Sequence, residues 1–468
     1  MAEQLAEVDA AREPIPSQPT RGRILLFATV SIALFMASVD QTIVATALPA
    51  IQRDLHAPVN WSAWTITVYA LGQVLVMPLA GKFGDQYGRK KIFLGAVVLF
   101  TATSLCCGLA DNIYLLIVLR AVQAIGGGAF MPSATGIIAD RFGTGRDRAL
   151  GLFSSIFPMG GIVGPVLGGV FVTYWSWRGI FFVNLPVGLV LLVLGAVVIP
   201  HIPQRPDPHL DIRGVVLLGI TLLSAMLGIG YLGGAHSAPL SVYFLLPECI
   251  AVVAATAFVR HSARAASPFV SLRFLTGRGF GSMNLLNFLY GSAVLGFAPL
   301  VPLYAENRFR LGALPAGTLL TARAVGMIAV AAAAVWMLRR TGYRLPIAAG
   351  FVLCAVGLIW TASTPHGLAP YGWLALGSGV CGLGMGLATP AANNATLQLA
   401  PDHAAAIAGL RGMFRQAGAI TAVSITAAVV ARSADPGIAQ AHVFLVFAAI
   451  IICSLPLVLL VPDHRGRW

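Results

Sequence analysis

Residues 81–96, GKFGDQYGRKKIFLGA, carry the clearest indication of the fold in this sequence. They separate two long apolar runs, 61–80 and 92–110, and each run is long enough to cross a bilayer as a helix, which takes about 20 apolar residues. An acid, Asp85, precedes the turn, and a basic cluster that starts at Arg89 follows it. The segment therefore predicts two membrane-spanning helices joined by a short, glycine-rich, basic turn.

The composition extends this prediction to the whole chain. The 468 residues are 57% hydrophobic and 10% charged, with a mean hydropathy of +0.83, whereas soluble domains carry about 25% charged residues. We therefore expect an all-α integral membrane protein. Residues 1–23 are polar and lack the apolar stretch and cleavage site of a signal peptide, so we expect a disordered cytoplasmic lead-in.

Apolar runs divide the chain into fourteen predicted spans. An even number of spans places both chain ends on the same side of the membrane, and the seventh and eighth spans form a tight hairpin. The predicted spans are 24–47, 61–80, 92–110, 112–131, 149–172, 180–200, 213–232, 241–259, 279–303, 315–337, 345–363, 370–394, 405–430 and 440–461.

The basic residues are distributed unevenly between the two sides of the membrane. With the N-terminus in the cytoplasm, 21 of the 30 Lys and Arg fall in cytoplasmic segments, five fall on the opposite side and four fall within spans. Cytoplasmic loops carry such an excess of positive residues. We therefore expect a multi-pass protein of a bacterial inner membrane with both ends cytoplasmic. The net charge of +13 then reflects topology and contact with anionic membrane lipid, not nucleic acid.

An acid lies inside the first span, in FMASVDQTIVATALP, residues 35–49. A carboxylate in the membrane costs several kcal/mol unless it is paired, solvated or protonated. Asp40 lies about 22 Å along its helix at 1.5 Å per residue, and Arg120 lies at a similar depth in the fourth span. We hypothesise that the two side chains face the same cavity. The alternative is that they pair only to fix helix packing.

The spacing Gly-x-x-Gly-Asp-x-x-Gly-Arg-Lys in residues 81–90 resembles the signature loop of the major facilitator superfamily. Gln86 stands where the family has an Arg, which weakens one salt bridge of that loop. Five further segments resemble family motifs, and with fourteen spans they are most similar to the EmrB/QacA-type 14-span drug:proton antiporters. They are WTITVYAL (64–71), RAVQAIGGGAF (120–130), GGIVGPVLGG (160–169), SWRGIFFVNLPVG (176–188) and FRQAGAI (414–420).

The resemblance implies the major facilitator fold. Two six-helix bundles, 24–200 and 279–461, would face each other around a central cavity and rock to alternate access. An inserted two-helix hairpin would lie within 201–278, and 462–468 would be a cytoplasmic tail. The segment RRTGYR, residues 339–344, is a degraded copy of the signature loop and agrees with an internal repeat.

The resemblance implies that the first and fourth spans line the cavity, and we assign proton and substrate coupling to Asp40, Arg120 and Gln123 on those spans. A desolvated carboxylate takes up a proton readily, and a nearby Arg opposes this. A cationic substrate that approaches Asp40 would favour the ionised form and expel the proton. Proton and substrate would then compete for one negative charge.

A cytoplasmic gate is predicted at the signature loop. Asp85 and Arg89, with Asp140 at the end of the fourth span, would form ionic contacts that exist only when the cytoplasmic side is closed, with Gly81 and Gly88 allowing close approach. Asp85 would lie at the positive N-terminal end of a helix of the second bundle. The alternative is a set of solvated loop charges worth under about 1 kcal/mol each.

The fifth span carries the antiporter pattern, which we expect to seal the cavity by packing against the other bundle, with a bend at the proline. Its residues are Gly160, Gly164, Pro165, Gly168 and Gly169. The alternative is ordinary close packing of small residues between helices.

Polar residues within spans are candidates for lining the cavity. Some follow helical spacing on the ninth span, and two arginines in the second half need counter-charges or water. The candidates are Tyr69, Asn284, Asn287, Tyr290, Arg323 and Arg415.

These patterns indicate a transporter, not an enzyme. The chain has no phosphate-binding Gly-x-x-x-x-Gly-Lys-Ser/Thr loop for ATP, no metal cluster and no catalytic triad order, so we expect no cofactor and the proton gradient as energy source. The resemblance implies efflux of amphipathic, often cationic drugs, with a periplasmic adaptor if the source has two membranes. A dedicated exporter of one antibiotic, lipid or metabolite is the alternative, and a polytopic membrane enzyme or receptor is a remote one.

Overall fold

A computed structural model of the chain describes residues 20–57, 59–200, 211–232, 238, 240–266, 268–277, 279–400 and 403–461. Regular structure in these ranges is helical throughout. The predicted tail and nearly all of the predicted lead-in lie outside the described residues. The first helix already begins at Thr20, four residues earlier than the first apolar run.

Fourteen long helices, here numbered α1–α14 in chain order, coincide with the fourteen predicted spans. Their bounds are α1 Thr20–Asp54, α2 Val59–Tyr87, α3 Arg89–Gly108, α4 Ile113–Arg141, α5 Arg146–Tyr174, α6 Gly179–Val198, α7 Ile212–Leu232, α8 Val242–Arg264, α9 Phe280–Phe309, α10 Ala313–Thr341, α11 Arg344–Ala362, α12 Pro370–Gln398, α13 Ala404–Ala431 and α14 Pro436–Val458.

Thirteen of these helices are long and apolar enough to cross a membrane. The remaining helix is α10, whose apolar part among the described residues runs only from Pro315 to Val330. The helix itself continues for 29 residues, to Thr341, which is long enough to span the hydrocarbon core. The predicted count of fourteen is therefore consistent with the structure, and α10 is the span that composition supports least.

The helices pack as two bundles with the same internal pairing. In the first bundle, α1 packs on α5, α4 packs on α2 and α3, and α3 packs on α6. In the second bundle, the equivalent pairs are α9 with α13, α12 with α10 and α11, and α11 with α14. The hairpin α7–α8 packs on itself and against α2 and α13. The repeat that the degraded loop at 339–344 suggested is thus present in the helix packing.

The bundles meet along α2 with α13 and along the equivalent pair, α10 with α5. We call the end of the molecule that carries the α2–α3 turn the basic end, and the other the opposite end. At the basic end, a Cβ built on Gly81 would lie 2.5 Å from the carbonyl oxygen of Ala405, so the two backbones touch. Asn394 on α12 also donates to the carbonyl of Asp147 on α5, at 3.1 Å.

The hydrophobic clusters show the same asymmetry between the two ends. The first-bundle cluster near the basic end, which includes Ile137 and Phe153, also contains Phe280, Ile407 and Ala408 of the second bundle. At the opposite end, the first-bundle cluster among the described residues is built only from residues 35–181. The bundles are therefore packed together at the basic end in this structure.

Candidate functional site

The centre of the first bundle contains a buried ion pair. Asp40 on α1 is 0% exposed and Arg120 on α4 is 1% exposed. The Nη1 atom of Arg120 donates to Oδ2 of Asp40 at 2.6 Å. Two ions removed from water in this way must be fully compensated, because an isolated buried charge costs several kcal/mol. The surrounding side chains show how that compensation is made.

Neutral polar side chains complete the coordination of the carboxylate. The other oxygen of Asp40, Oδ1, accepts from Nε2 of Gln123 at 3.3 Å and from Nδ2 of Asn184 at 3.2 Å. Asn184, on α6, also donates to Oγ of Ser104 on α3 at 3.0 Å. Gln123 in turn accepts from Nη1 of Arg120 at 2.8 Å. Side chains from α1, α3, α4 and α6 thus form one connected hydrogen-bond network, which we call the Asp40 network.

The guanidinium of Arg120 is held from the α2 side as well. Its Nε donates to the carbonyl of Thr65 at 3.3 Å. Its Cζ lies 4.0 Å from the ring centroid of Tyr69 and 5.8 Å from that of Phe181. Aromatic faces attract a desolvated cation. Arg120 is therefore oriented by an anion, an amide oxygen, a backbone carbonyl and an aromatic ring.

The sequence predicted four members of this site and missed two. Asp40, Arg120 and Gln123 come together as expected, and Tyr69, which was predicted only to line the cavity, lies against Arg120. The Asp40–Arg120 pair is sealed within the first bundle and does not line an open cavity in this structure. Asn184 and Ser104 were missed as site residues, although Asn184 lies in the segment SWRGIFFVNLPVG that carried part of the resemblance. An Asn within this segment, at the start of an apolar span, was the sequence signal that could have identified Asn184.

The signature loop forms a second ionic cluster at the basic end. Arg89 contacts Oδ1 of Asp85 at 2.9 Å and Oδ1 of Asp140 at 2.6 Å, and it also donates to the carbonyl of Gly136. The predicted trio is therefore assembled, within the first bundle. Asp85 lies one turn beyond Gly81, on the α2 face that touches the first turn of α13, but its described hydrogen bonds go to Arg89.

Gly88 has the backbone conformation that the tight turn requires. Its φ is +97°, a value that L side chains rarely adopt, and it precedes the first residue of α3. This places Arg89 at the start of α3 with its side chain turned back toward α2 and α4. The glycine therefore positions the arginine of the cluster.

The glycines of α5 face a different neighbour from the one we expected. A Cβ on Gly160 would lie 2.5 Å from Cβ of Ser38, and one on Gly164 would lie 2.0 Å from Oγ1 of Thr42, so both face α1 of the same bundle. Gly168 likewise faces Ile43 and Thr46 of α1. The expectation that this stripe packs against the other bundle is wrong for these three glycines, because α5 contacts α10 through another part of its surface.

The other two members of the predicted stripe do not belong to that contact. A Cβ on Gly169 would have no neighbour within 4 Å. The side chain of Pro165 lies outside what the structure describes. The stripe that matters for packing is therefore spaced four residues apart, at 160, 164 and 168.

The second-bundle candidates separate into two groups. Asn284 donates to the carbonyls of Phe274 and Leu275 at 2.8 and 3.1 Å, so it ties α9 to the short helix Leu272–Thr276 and does not line a central cavity as expected. Asn287 and Tyr290 instead line a cavity of about 10 Å³ inside the second bundle. This is room for about one water molecule. The prediction for Asn284 is wrong because no pattern in the sequence indicated the short helix Leu272–Thr276.

The second group surrounds Tyr290. Its hydroxyl lies 2.9 Å from Oγ1 of Thr389, and the guanidinium of Arg415 lies 5.1 Å from its ring centroid. Arg415 lines the same small cavity. Arg323, on α10, is partly buried, and its Nη1 has no hydrogen-bond partner. The second bundle thus holds cations near Tyr290 but, unlike the first, no described acid beside them.

At the opposite end, Asp54 fixes the α5–α6 corner. It accepts from Nε1 of Trp177 at 2.9 Å and pairs with Arg178 at 2.5 Å. These hydrogen bonds, from Trp177 and then Arg178, lower the pKa of Asp54 below its ordinary value of 3.8. These two contacts tie the end of α1 to the α5–α6 corner.

Comparisons with known proteins agree with this architecture. The sequence model of the Major Facilitator Superfamily matches residues 30–423 and 283–468. The multidrug transporter protein MdtP of Bacillus subtilis (strain 168) is 29% identical over 420 residues, which cover 88% of this chain and 76% of that protein. The cephamycin export protein CmcT of Amycolatopsis lactamdurans is 31% identical over 448 residues, which cover 92% of this chain and 90% of that protein.

Solved structures show the same fold. The crystal structure of the human organic anion transporter MFSD10 aligns with a TM-score of 0.72 at 15% identity, covering 94% of this chain and 100% of that one. The proton:xylose symporter XylE aligns with a TM-score of 0.68 at 12% identity, covering 96% and 98%. At these identities the likeness concerns the fold alone. The predicted resemblance is confirmed, and the remote alternative of a membrane enzyme or receptor is not supported: this chain belongs to the Major Facilitator Superfamily of multi-pass membrane transporters.

Proposed function

We propose that this protein is a proton-driven exporter that exchanges protons for amphipathic small molecules by alternating access. Efflux is supported by relatives that are named as multidrug transporters and antibiotic export proteins. The observation that carries the proton coupling is the Asp40 network. A carboxylate that is fully removed from water and held by one cation and two amides is a group whose protonation must rearrange its neighbours.

The network suggests how protonation acts. Ionised Asp40 accepts three hydrogen bonds and balances Arg120. When Asp40 takes up a proton, Arg120 loses its counter-charge, and the pull that holds α1, α4 and α6 together weakens. The guanidinium is then free to seek another anion or water. One proton thus changes both the charge and the packing at the centre of the first bundle.

The basic end supplies the second part of the mechanism. The bundles touch along α2 and α13 at this end, so the arrangement corresponds to a state closed toward the side we assign to the cytoplasm. The Arg89 cluster ties the ends of α2, α3 and α4 together just beside that contact. Opening the basic end would require the α2–α13 contact to separate while the first bundle moves as a unit.

The location is proposed from the relatives and from the charge distribution. We place the protein in a bacterial inner membrane because the relatives named above are bacterial, and we place both ends in the cytoplasm because the basic residues favour one side by 21 to 5. Protons, membrane lipid and amphipathic solutes are the proposed partners, with an adaptor required only in a two-membrane cell. The relatives' names include both multidrug transporters and exporters of single antibiotics, so the dedicated exporter stays the second candidate.

The proposal is tested in liposomes with an imposed pH gradient. Two xanthene dyes of opposite charge, rhodamine 6G (cationic) and fluorescein (anionic), report accumulation. We expect gradient-dependent uptake of at least one dye by the wild type and its loss in Asp40→Asn. Asp111→Asn is the matched control, because Asp111 is an exposed acid at the opposite end. Full gradient-driven uptake by Asp40→Asn would contradict the coupling role of Asp40.

A further inference from the structure

Helix α13, which belongs to the second bundle and packs on α2 of the first, carries two arginines. Neither has an acidic partner among the described residues. Arg411 is 2% exposed, and its Nε and Nη1 atoms are buried without hydrogen-bond partners. Arg415 follows one turn later, and its Nε is also buried without a partner. Like charges four residues apart on a helix repel each other. The pair therefore destabilises the protein as it stands.

Nearby acids do not provide the missing charge. In the part of the chain that the structure describes, Asp40 is committed to Arg120, and Asp85 and Asp140 are committed to Arg89. Residues 279–461 contain three acids, Glu306, Asp402 and Asp435. Glu306 is near the last residue of α9 and Asp435 caps the first turn of α14, so both acids lie at the opposite end of the molecule. Asp402 lies outside the described residues.

The position of Arg411 places it toward the seam between the bundles. Residues 404, 407, 408, 411 and 415 lie on one face of α13, because they are spaced three or four apart. The first three of them belong to the hydrophobic cluster that also contains Ala134 and Ile137 of α4. Arg411 continues this face one turn farther from the basic end. Arg415 then reaches the small cavity beside Tyr290, Asn287 and Thr389.

We infer that Arg411 and Arg415 bind the anionic group of the transported molecule, so that substrates are amphipathic carboxylates or related anions. Guanidinium groups present a planar fork of donors that matches a carboxylate, and an aromatic face and a hydroxyl beside it can complete such a site. The cavity now present accommodates only a water, so the apolar body of the substrate would occupy space that opens between the bundles. This inference rests on the proposed function and specifies the charge of its substrate.

The inference differs from the expectation of a cationic substrate. That expectation came from the family resemblance, with a cation approaching Asp40, whereas the structure commits both oxygens of Asp40 to Arg120, Gln123 and Asn184. Among the described residues of the second bundle, the charged side chains that bury atoms without hydrogen-bond partners are all arginines: Arg323, Arg411 and Arg415. Coupling would then run through two sites: a proton on Asp40 in one bundle and an anion on Arg411 and Arg415 in the other.

Binding of two dyes to purified protein in neutral detergent tests the inference. Fluorescein supplies a carboxylate, and rhodamine 6G supplies a similar ring system with positive charge. We expect fluorescein to bind at least tenfold more tightly than rhodamine 6G, and Arg411→Gln and Arg415→Gln each to weaken fluorescein binding at least tenfold. Arg432→Gln, an exposed arginine at the far end of the same helix, should leave it unchanged.

A second readout separates a binding role from a structural one. Nε and Nη1 of Arg411 have no hydrogen-bond partner among the described residues, so Arg411→Gln should raise the Tm measured without dye. Fluorescein should raise the Tm of the wild type but not that of the variant. Arg415→Lys keeps the charge but loses the fork, and should bind fluorescein with intermediate affinity. A lower Tm for Arg411→Gln in the empty protein would indicate a structural partner and overturn the inference.

The remaining outcomes are also decisive. Tighter binding of rhodamine 6G, no binding of fluorescein, or fluorescein binding that survives both Gln variants would contradict the inference. If fluorescein binds in pure phosphatidylcholine but phosphatidylglycerol displaces it, a lipid phosphate competes for the site. Phosphatidylglycerol could instead stabilise the protein while fluorescein fails to bind even in pure phosphatidylcholine. The arginines would then be a lipid site, and the inference would be overturned. Gradient-driven uptake of rhodamine 6G alone would leave the proposed exporter intact and remove only the anion site.

Discussion

Asp40 and Arg120 show how a membrane protein retains charges that its surroundings penalise. Both are almost fully buried, and each satisfies the other together with Gln123 and Asn184. A buried pair is weak evidence for stability, because the loss of hydration offsets the attraction between the ions. Removing only one partner is costly, since the other is then left buried and unpaired. The pair therefore favours the state in which both groups are charged, and protonation of Asp40 leaves Arg120 in need of another partner.

This asymmetry gives a double-mutant prediction. Arg120→Met alone should lower the free energy of unfolding by about 3–5 kcal/mol, because it leaves the Asp40 carboxylate unpaired. Adding Asp40→Asn to that variant should recover much of the loss. Equilibrium unfolding by detergent titration measures each variant, and Asp111→Asn should change stability by no more than about 0.5 kcal/mol. Equal stability of the single and double variants would contradict the ion pair.

The sequence identified both charged members of the Asp40 network, but of its neutral polar members it identified Gln123 and not Asn184 or Ser104. Asp40 and Arg120 could be identified because a charge within an apolar run is rare and costly. Ser104 and Asn184 carry no such signal, since small polar side chains occur throughout membrane helices. Asn284 has helical spacing with Asn287, and both were expected to line the cavity. Only the path of the chain into the short helix before α9 shows that it caps that helix.

At the scale of elements, the glycines of α5 set its distance from α1. Gly160, Gly164 and Gly168 form a ridge without side chains, and α1 presents Ser38, Thr42 and Thr46 to it. Such small-residue contacts let two membrane helices approach closely. The Thr42 hydroxyl donates to the Ser38 carbonyl of its own helix at 3.0 Å, so the contact leaves no polar group unsatisfied. Since α1 carries Asp40, this packing helps to position the Asp40 network.

The ridge predicts different effects at neighbouring glycines. Gly164→Leu should abolish transport and lower the yield of folded protein, because even a Cβ would lie 2.0 Å from the Thr42 hydroxyl. Gly169→Leu should retain both, since a Cβ there has no neighbour within 4 Å. Gly164→Ala combined with Thr42→Ala should restore part of what Gly164→Ala loses. Transport and size-exclusion profiles of these variants provide the measurement.

Normal transport by Gly164→Leu, or equal damage from Gly169→Leu, would show that the α1–α5 contact does not act in this way.

The sequence located α1 and α5 within a few residues, since long apolar runs are a strong signal. It could not show which helix the glycines face. A stripe of glycines indicates close packing, but the identity of the partner depends on the tertiary arrangement.

On the scale of the whole molecule, the two bundles meet through equivalent helix pairs. The pair α2–α13 and its counterpart α10–α5 are related by the internal repeat. The contact at the basic end is a contact between backbones, since Gly81 meets Ala405 and Gly409 meets Met77. Such close contacts cannot compress, so a larger residue must hold the bundles apart.

That contact predicts a shift between conformations. Gly81→Leu should favour separation of the basic ends, because a Cβ would lie 2.5 Å from the Ala405 carbonyl oxygen. Spin labels at Tyr87 and His403, both exposed at this end, with the exposed native cysteines replaced by serine, would report longer distances. Gly95→Leu is the control, since nothing lies within 4 Å of a Cβ there. An unchanged distance distribution in Gly81→Leu would contradict the role of this contact.

The global arrangement came from resemblance more than from pattern. Apolar runs and basic loops indicated fourteen spans and their orientation, but nothing in their periodicity specifies that α1 packs on α5 or that the hairpin packs on α2 and α13. The family resemblance supplied the two six-helix bundles and the inserted hairpin, but not these packing partners. The state of the molecule, closed at the basic end, was not available from the sequence, because one sequence encodes every state of the transport cycle.

Two assays of Asp40→Asn in the same liposomes test whether Asp40 carries the coupled proton. One measures dye uptake driven by a pH gradient, and the other measures exchange of dye between equal internal and external pools without a gradient. If Asp40 carries the coupled proton, the variant should lose gradient-driven uptake but retain exchange, because an asparagine can mimic the protonated carboxyl. Retention of gradient-driven uptake at the wild-type rate would show that the proton is carried elsewhere.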